Sequence, residues 1–252
     1  MTVQRIEELV RASRRLAREC ARLDFRSPVR YAYNPLLYAR AGYEEYLHRF
    51  AQTRKSVIFL GMNPGPWGMA QTGVPFGEVA AVRDWMGIQE RVGRPAEEHP
   101  RVPVAGFACA RSEVSGNRLW GLMRDRYGGA EEFFRGHFVA NYCPLLFLDD
   151  SGRNITPDKL IAGDREALVA VCDRHLHAVV EAFAPRWLVG IGRFAEGQCR
   201  TLQRVLGWNG ITIVGVPHPS PASPLANRDW AGMTTGVLVE AGVWKENERS
   251  AG

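Results

Sequence analysis

The chain has almost no lysine, no paired cysteines and no long apolar run. Lys55, Lys159 and Lys245 are its only lysines, so its net charge of +5 over 252 residues rests on arginine. A moderately basic surface of this kind is compatible with nucleic acid without requiring it. The arginine bias follows as well from genome composition as from phosphate binding. Cys20, Cys109, Cys143, Cys172 and Cys199 are odd in number and scattered, with no C-x-x-C pair. That pattern argues against a disulfide framework, a zinc site and an iron–sulfur cluster, and the thiols are expected to be buried and free. No apolar stretch approaches the roughly 20 residues needed to cross a bilayer. The first residues lack a secretory apolar segment, and Glu7 and Glu8 argue against a transit peptide. A cytoplasmic protein is expected, or a nuclear one in a eukaryote.

What is present is a hydrophobic content of 46%, enough for a sizeable core in one domain. That domain is expected over residues 1–246, with residues 1–25 as an N-terminal helix packed on it and 247–252 as a flexible tail. There is no internal repeat. Four short β-branched runs read as buried parallel strands: 56–60, 137–140, 186–191 and 211–216. Helical patterns lie between them. Residues 3–23 place Ile6, Leu9, Val10, Leu16, Ala17, Cys20 and Leu23 near one face. Residues 78–86 read as a short helix, and 115–126 as another with Ser115 at its N-cap. Thr156-Pro157-Asp158 reads as the start of a helix running to about Phe183. Residues 194–206 read as a helix closed by Gly207. Strands alternating with helices predict an α/β fold with a parallel sheet.

The strand ends carry the polar residues. Asn63 follows the first strand, Asn141 the second, Gly192-Arg193 the third and His218 the fourth. In open α/β sheets ligands bind outside the carboxyl ends of the strands, so these four places should converge. The loop from Gly61 to Gly77 holds five glycines, three prolines, Trp67 and Phe76. Such a loop is stiff, yet its backbone can approach a ligand closely. It is not a P-loop, since no Gly-Lys-Ser/Thr follows, nor a dinucleotide fingerprint. His218 stands between Pro217 and Pro219, with Pro221 and Pro224 beyond, so its imidazole is presented rigidly. By contrast His175 and His177 are two apart on a predicted helix and do not share a face. His99 and His137 show no partner pattern, and Trp85, Trp120, Trp187 and Trp230 read as core.

Together these residues resemble a known family. The run from Gly61 to Gly77 and the downstream His218-Pro219-Ser220-Pro221 are similar to the single-strand-selective monofunctional uracil-DNA glycosylases. So are Arg83-Asp84-Trp85, Ser112 to Gly116, Asn141 to Phe147, Ser151 to Pro157 and Ala226-Asn227, covering about residues 30–240 in the same order. The resemblance implies a single α/β domain with a central four-stranded parallel sheet flanked by helices. It implies a base-excision repair enzyme that flips a damaged base out of DNA and hydrolyses its N-glycosidic bond. Neither metal nor cofactor is needed, and an abasic site is left.

The resemblance also implies roles. Asn63 positions the attacking water, and His218 stabilises the leaving base at O2. Phe76 stacks on the base, Asn141 reads its O4 and N3–H, and Met62 lends a backbone N–H. Gly65 stands where uracil-restricted relatives carry a tyrosine that blocks C5, which implies room for 5-hydroxymethyluracil. Ser115, Gly116, Arg193, Ser220 and Arg228 are candidate phosphate contacts. Pro221, Ala222 and Ser223, with Pro224 and Leu225, form the wedge. Ala222 replaces the arginine typical of vertebrate members, which makes a smaller plug. The expected partner is uracil-containing DNA, single-stranded or duplex, bound by a monomer in the nucleoid or nucleus. Two other readings remain open: a mismatch-specific uracil/thymine-type glycosylase, whose first motif has the same form, and a non-catalytic DNA-lesion binder.

Overall fold

The four apolar runs pair side by side, all pointing the same way. The computed structural model describes residues 2–223 and 226–246. In chain order the strands are β1 (Tyr31–Tyr33), β2 (Val57–Gly61), β3 (His137–Asn141), β4 (Leu146–Leu148), β5 (Asn154–Ile155), β6 (Trp187–Ile191) and β7 (Thr212–Val216). The helices are α1 (Thr2–Cys20), α2 (Pro35–Tyr38), α3 (Arg40–Phe50), α4 (Met69–Thr72), α5 (Val114–Tyr127), α6 (Ala130–Gly136), α7 (Ala162–Phe183), α8 (Arg193–Leu206) and α9 (Ala226–Glu240, interrupted at Asp229). The parallel sheet has the order β3-β2-β6-β7. Its central strand β2 is buried along its whole length. That is why this strand reads as a continuous apolar run rather than an alternating one.

The register brings the carboxyl ends level. Gly61 of β2 faces Asn141 of β3, and Ile191 of β6 faces Val216 of β7. Asn63 and His218 each lie two residues beyond such an end. The helices cover the sheet, with α8 on β6 and β7, α9 on β7, and α1 against α7. Phe59, Phe133, Phe138 and Phe183 are fully buried between the layers.

Several sequence expectations are corrected here. The N-terminal helix stops at Cys20 rather than 23. Residues 78–86 give only a π-type turn over Ala81–Trp85, in which the Met86 N–H donates to the Ala81 carbonyl at 3.0 Å. Helix α5 starts one residue before Ser115, with Glu113 at the N-cap, so Ser115 sits in its first turn. Thr156-Pro157-Asp158 opens only a 3-10 turn, Pro157–Lys159. The buried, extended Leu160 ends it, and α7 begins at Ala162. Cys109 is partly exposed, unlike the other four thiols.

A second, antiparallel sheet of order β1-β4-β5 was not foreseen. Its strands are two or three residues long, too short to leave a period in the sequence. They enclose a satellite core of Tyr33, Ala70, Val102, Val104, Leu146 and Leu148. The expected tail, residues 247–252, lies outside the described residues. No described helix is long and apolar enough to cross a membrane.

Candidate active site

Prolines lack an N–H, so the 217–221 segment depends on donors from elsewhere to hold its carbonyls. Helices α5 and α9 supply them. Trp230 Nε1 donates to the Pro217 carbonyl at 2.7 Å, and Arg118 Nη1 to that of Pro219 at 2.9 Å. Asn227 Nδ2 donates to that of Pro221 at 2.8 Å, and Asn227 Oδ1 in turn accepts from Arg118 Nη2. The His218 backbone is thereby fixed from three sides.

The His218 ring is fixed as well. Its Nδ1 accepts the Ser220 N–H at 3.1 Å, which leaves the proton of the neutral ring on Nε2. Burial lowers its pKa below the ordinary histidine value, so the ring is neutral at pH 7 and offers one N–H donor. Behind it, Gly192 (φ +86°) would carry a Cβ only 3.2 Å from His218 Cβ.

Asn63 is oriented through its amide nitrogen. Nδ2 donates to the Leu145 carbonyl at 3.1 Å and, more weakly, to that of Pro64 at 3.5 Å. Oδ1 is then left to accept from a water. An amide so placed is able to hold a water by hydrogen bonding but cannot act as a strong base.

Asn141 and Phe76 share the roof of Gly61. A Cβ at Gly61 would lie 2.5 Å from both Asn141 Oδ1 and Phe76 Cε2. Only a glycine at the strand end lets both side chains fold over it. Asn141 Nδ2 contacts Met69 Sδ at 3.3 Å, while its Oδ1 is buried with no partner. Such an orphaned acceptor calls for a ligand N–H. Phe76 holds a φ of +52°, a conformation costing about 1–3 kcal/mol for a non-glycine residue. Trp120 Nε1 locks it by donating to the Phe76 carbonyl at 2.9 Å. The Phe76 and His218 rings lie 6.4 Å apart, centroid to centroid.

These groups open on one cavity of about 530 Å³, within the usual range for a small-molecule pocket. Of the expected residues it brings together Met62, Asn63, Gly65, Phe76, Asn141 and His218. Ser115, Ser220, Pro221, Ala222 and Ser223 line it too, with Pro221 and Ala222 exposed. Pro224 and Leu225 lie outside the described residues. Three expected DNA contacts are not in the cavity. Gly116 is buried, and its missing Cβ would lie 2.2 Å from the Phe76 carbonyl oxygen. Arg193 and Arg228 are exposed on α8 and α9.

Sequence reasoning gave no site role to seven lining residues, among them Trp67, Glu113, Asn154 and Thr156. Arg111 stacks over Trp67, its Cζ 4.4 Å from the ring centroid. Asn154 Oδ1 is buried and unpaired. The space that Gly65 leaves is not empty: Glu113 Oε1 fills it, 2.0 Å from where a Cβ would stand. Burial first, and the charge of Glu78 second, push the Glu113 carboxyl up from 4.5 to about 7. No group of three or more His, Cys, Asp or Glu among the described residues could hold a metal ion.

Residues 48–232 match the family description "Uracil DNA glycosylase superfamily". The chain belongs to that superfamily. It is 48% identical over 229 residues to the single-strand selective monofunctional uracil DNA glycosylase of Bos taurus, covering 91% of this chain and 84% of the bovine one. The Rattus norvegicus protein of the same description is 49% identical over 233 residues, covering 91% and 82%. A crystal structure of Pedobacter heparinus SMUG2 superposes with a TM-score of 0.63, covering 92% of this chain and 97% of that one. At 16% identity that likeness speaks for the fold alone.

Proposed function

We propose that this member of the superfamily is a monofunctional uracil-DNA glycosylase acting in base-excision repair. It takes uracil and 5-hydroxymethyluracil from DNA, single-stranded or duplex, as a monomer and without metal or cofactor. Its place of work is then the nucleoid, or the nucleus in a eukaryote. The relatives' printed descriptions support uracil as the substrate. The observation that carries the reading is a complementary pair: a buried acceptor without a partner on Asn141 and a neutral N–H donor on His218, in one cavity beside an aromatic face.

Extruding a base costs a few kcal/mol in lost stacking and pairing. Stacking on Phe76 returns about 1–3 kcal/mol. Asn141 Oδ1 accepts from N3–H while Nδ2 turns from Met69 Sδ to O4. Cytosine presents the reverse pattern and leaves both amide ends unpaired. As the C1′–N1 bond breaks, its electron pair goes to the base and the sugar becomes cationic. The negative charge at O2 meets the Nε2–H of His218. Water held by Asn63 Oδ1 bonds to C1′ and releases its proton to the base anion or to solvent. Removing one such preorganised donor costs about 100–1000-fold in turnover. Pro221, Ala222 and Ser223 lie in the same rigid segment, beyond Ser220, and occupy the gap that the base leaves. Ser115 and Ser220 hydroxyls at the cavity rim bind the flanking phosphates; Arg193 and Arg228 add charge further out.

The test is abasic-site formation on oligonucleotides carrying uracil or 5-hydroxymethyluracil, single-stranded and opposite each base. Wild type should cleave, and Asn63→Ala and His218→Ala should lose cleavage while still binding DNA. Binding without cleavage by the wild type would make the chain a lesion binder. Activity confined to G·U and G·T duplexes would place it with the mismatch-specific enzymes.

A further inference from the structure

Glu113 enters the cavity wall from the N-cap of α5, and three glycines open the space it fills. A Cβ on Gly65 would lie 2.0 Å from Oε1, and a Cβ on Gly68 1.9 Å from Oε2. A Cβ on Gly116 would reach Oε2 at 3.0 Å. The three glycines come from two separate stretches of chain, the 61–77 loop and α5, and close on the same carboxyl. Oε2 is sealed from solvent and has no hydrogen-bond partner. Native proteins seldom leave a buried polar atom unsatisfied without a functional reason.

The orientation of the base identifies what this carboxyl meets. His218 takes O2 and Asn141 takes the N3–C4 edge, so the C5–C6 edge turns to the remaining wall. That wall includes Gly65, whose missing side chain would project straight at Glu113 Oε1. We propose that Glu113 is a specificity-determining residue: its carboxyl closes the wall facing C5 of the bound pyrimidine and hydrogen-bonds a hydroxyl carried there. The proposal rests on the glycosylase reading above and names a residue for its substrate range. A hydroxyl both donates and accepts, so it pairs with the carboxyl whether Glu113 is protonated or ionised. The carboxyl's rise to about 7 leaves both forms present at neutral pH. A methyl group at C5 fills the same volume and offers neither donor nor acceptor. Thymine therefore leaves the cavity-facing Oε1 unpaired, and a site built for a hydroxyl discriminates strongly against an analogue that lacks it.

The experiment measures single-turnover release from single-stranded oligonucleotides carrying one uracil, one 5-hydroxymethyluracil or one thymine. Wild type is compared with Glu113→Met, of similar length and without a strong hydrogen-bonding atom, and with Glu113→Gln, which keeps a donor and an acceptor. The ratio of 5-hydroxymethyluracil to uracil release should fall about tenfold in the Met variant, the worth of one hydrogen bond. It should stay within about threefold of wild type in the Gln variant. A merely structural role would slow both substrates alike and leave the ratio unchanged, which would overturn the proposal. If Glu113→Met does not fold, the wild type alone decides. It should release 5-hydroxymethyluracil at least about tenfold faster than thymine, and equal rates would overturn the proposal. Should the wild type release no base at all, the glycosylase reading itself fails. Should it release uracil with the ratio untouched by Glu113→Met, only the role of Glu113 fails.

Discussion

Replacing Glu113 by glutamine removes the charge that burial penalises while keeping the shape of the side chain. The carboxyl titrates at about 7 in the folded protein against an ordinary value of 4.5. Between those values the unfolded chain has released the proton and the folded chain still holds it. The folded state binds more protons there, so stability falls as pH rises through that window and levels off above it. A displacement of this size corresponds to about 3 kcal/mol. A glutamine has no such dependence. The melting temperatures of wild type and Glu113→Gln should therefore differ little near pH 4.5 and diverge as pH rises. For a chain of this length about 3 kcal/mol moves the midpoint by roughly 6–12 °C, the variant being the more stable at pH 8. His175 and His218, both lowered by burial, push the other way: each resists protonation in the fold, so its share of stability is lost as pH falls below the ordinary histidine range. Both proteins carry them, so they cancel in the difference. The assay is scanning calorimetry at half-unit steps from pH 4.5 to 8.5. A difference that stays flat, or that shrinks with rising pH, would refute a buried Glu113 carboxyl.

Three further outcomes follow from the geometry of the site. Gly61→Ala drives a Cβ into Asn141 Oδ1 and Phe76; overpacking of this kind costs about 1–3 kcal/mol, and KM for uracil DNA should rise beyond the change in melting point. Arg118→Ala leaves the Pro219 carbonyl and Asn227 Oδ1 without their donor; turnover should fall about tenfold, and an unchanged rate would show that α5 does not hold the His218 loop. Proton-detected nitrogen spectra of the imidazole should report His218 as the Nε2–H tautomer with its titration below the ordinary histidine value; an Nδ1–H tautomer would contradict the bond from the Ser220 N–H.

The large sheet and its polar strand ends were legible because burial on both faces forces uninterrupted β-branched runs, and because Asn63, Asn141 and His218 stand at or within two residues of their ends. Glu113 was not legible. Nothing in Ser112-Glu113-Val114 says that the carboxyl is enclosed. The signal sits in Gly65, Gly68 and Gly116, which only the fold brings to one place. Ser115 was a plausible N-cap by residue type, but Glu113 takes that position with no side-chain cap bond. The small sheet was invisible for a different reason: strands of two or three residues have no period to detect. Arg118 likewise looks like any helical arginine until the prolines opposite it present carbonyls with no local donor.

Gly192 has one further consequence. Backbones in a sheet are about 4.8 Å apart, so the ends of β3, which carries Asn141, and β7, which leads to His218, stand three spacings, roughly 14 Å, from each other. A pyrimidine ring is far narrower than that. At the end of β6 the sheet places a residue with no side chain, and His218 leans over the vacancy, its Cβ almost touching where another would be. The sheet thus works as a ruler with one graduation left blank, and the blank sets the width of the cavity between Asn141 and His218. Any side chain at 192 would return the imidazole towards its own strand and widen that gauge by a fraction of a strand spacing, with Asn63, Asn141 and His218 all still present.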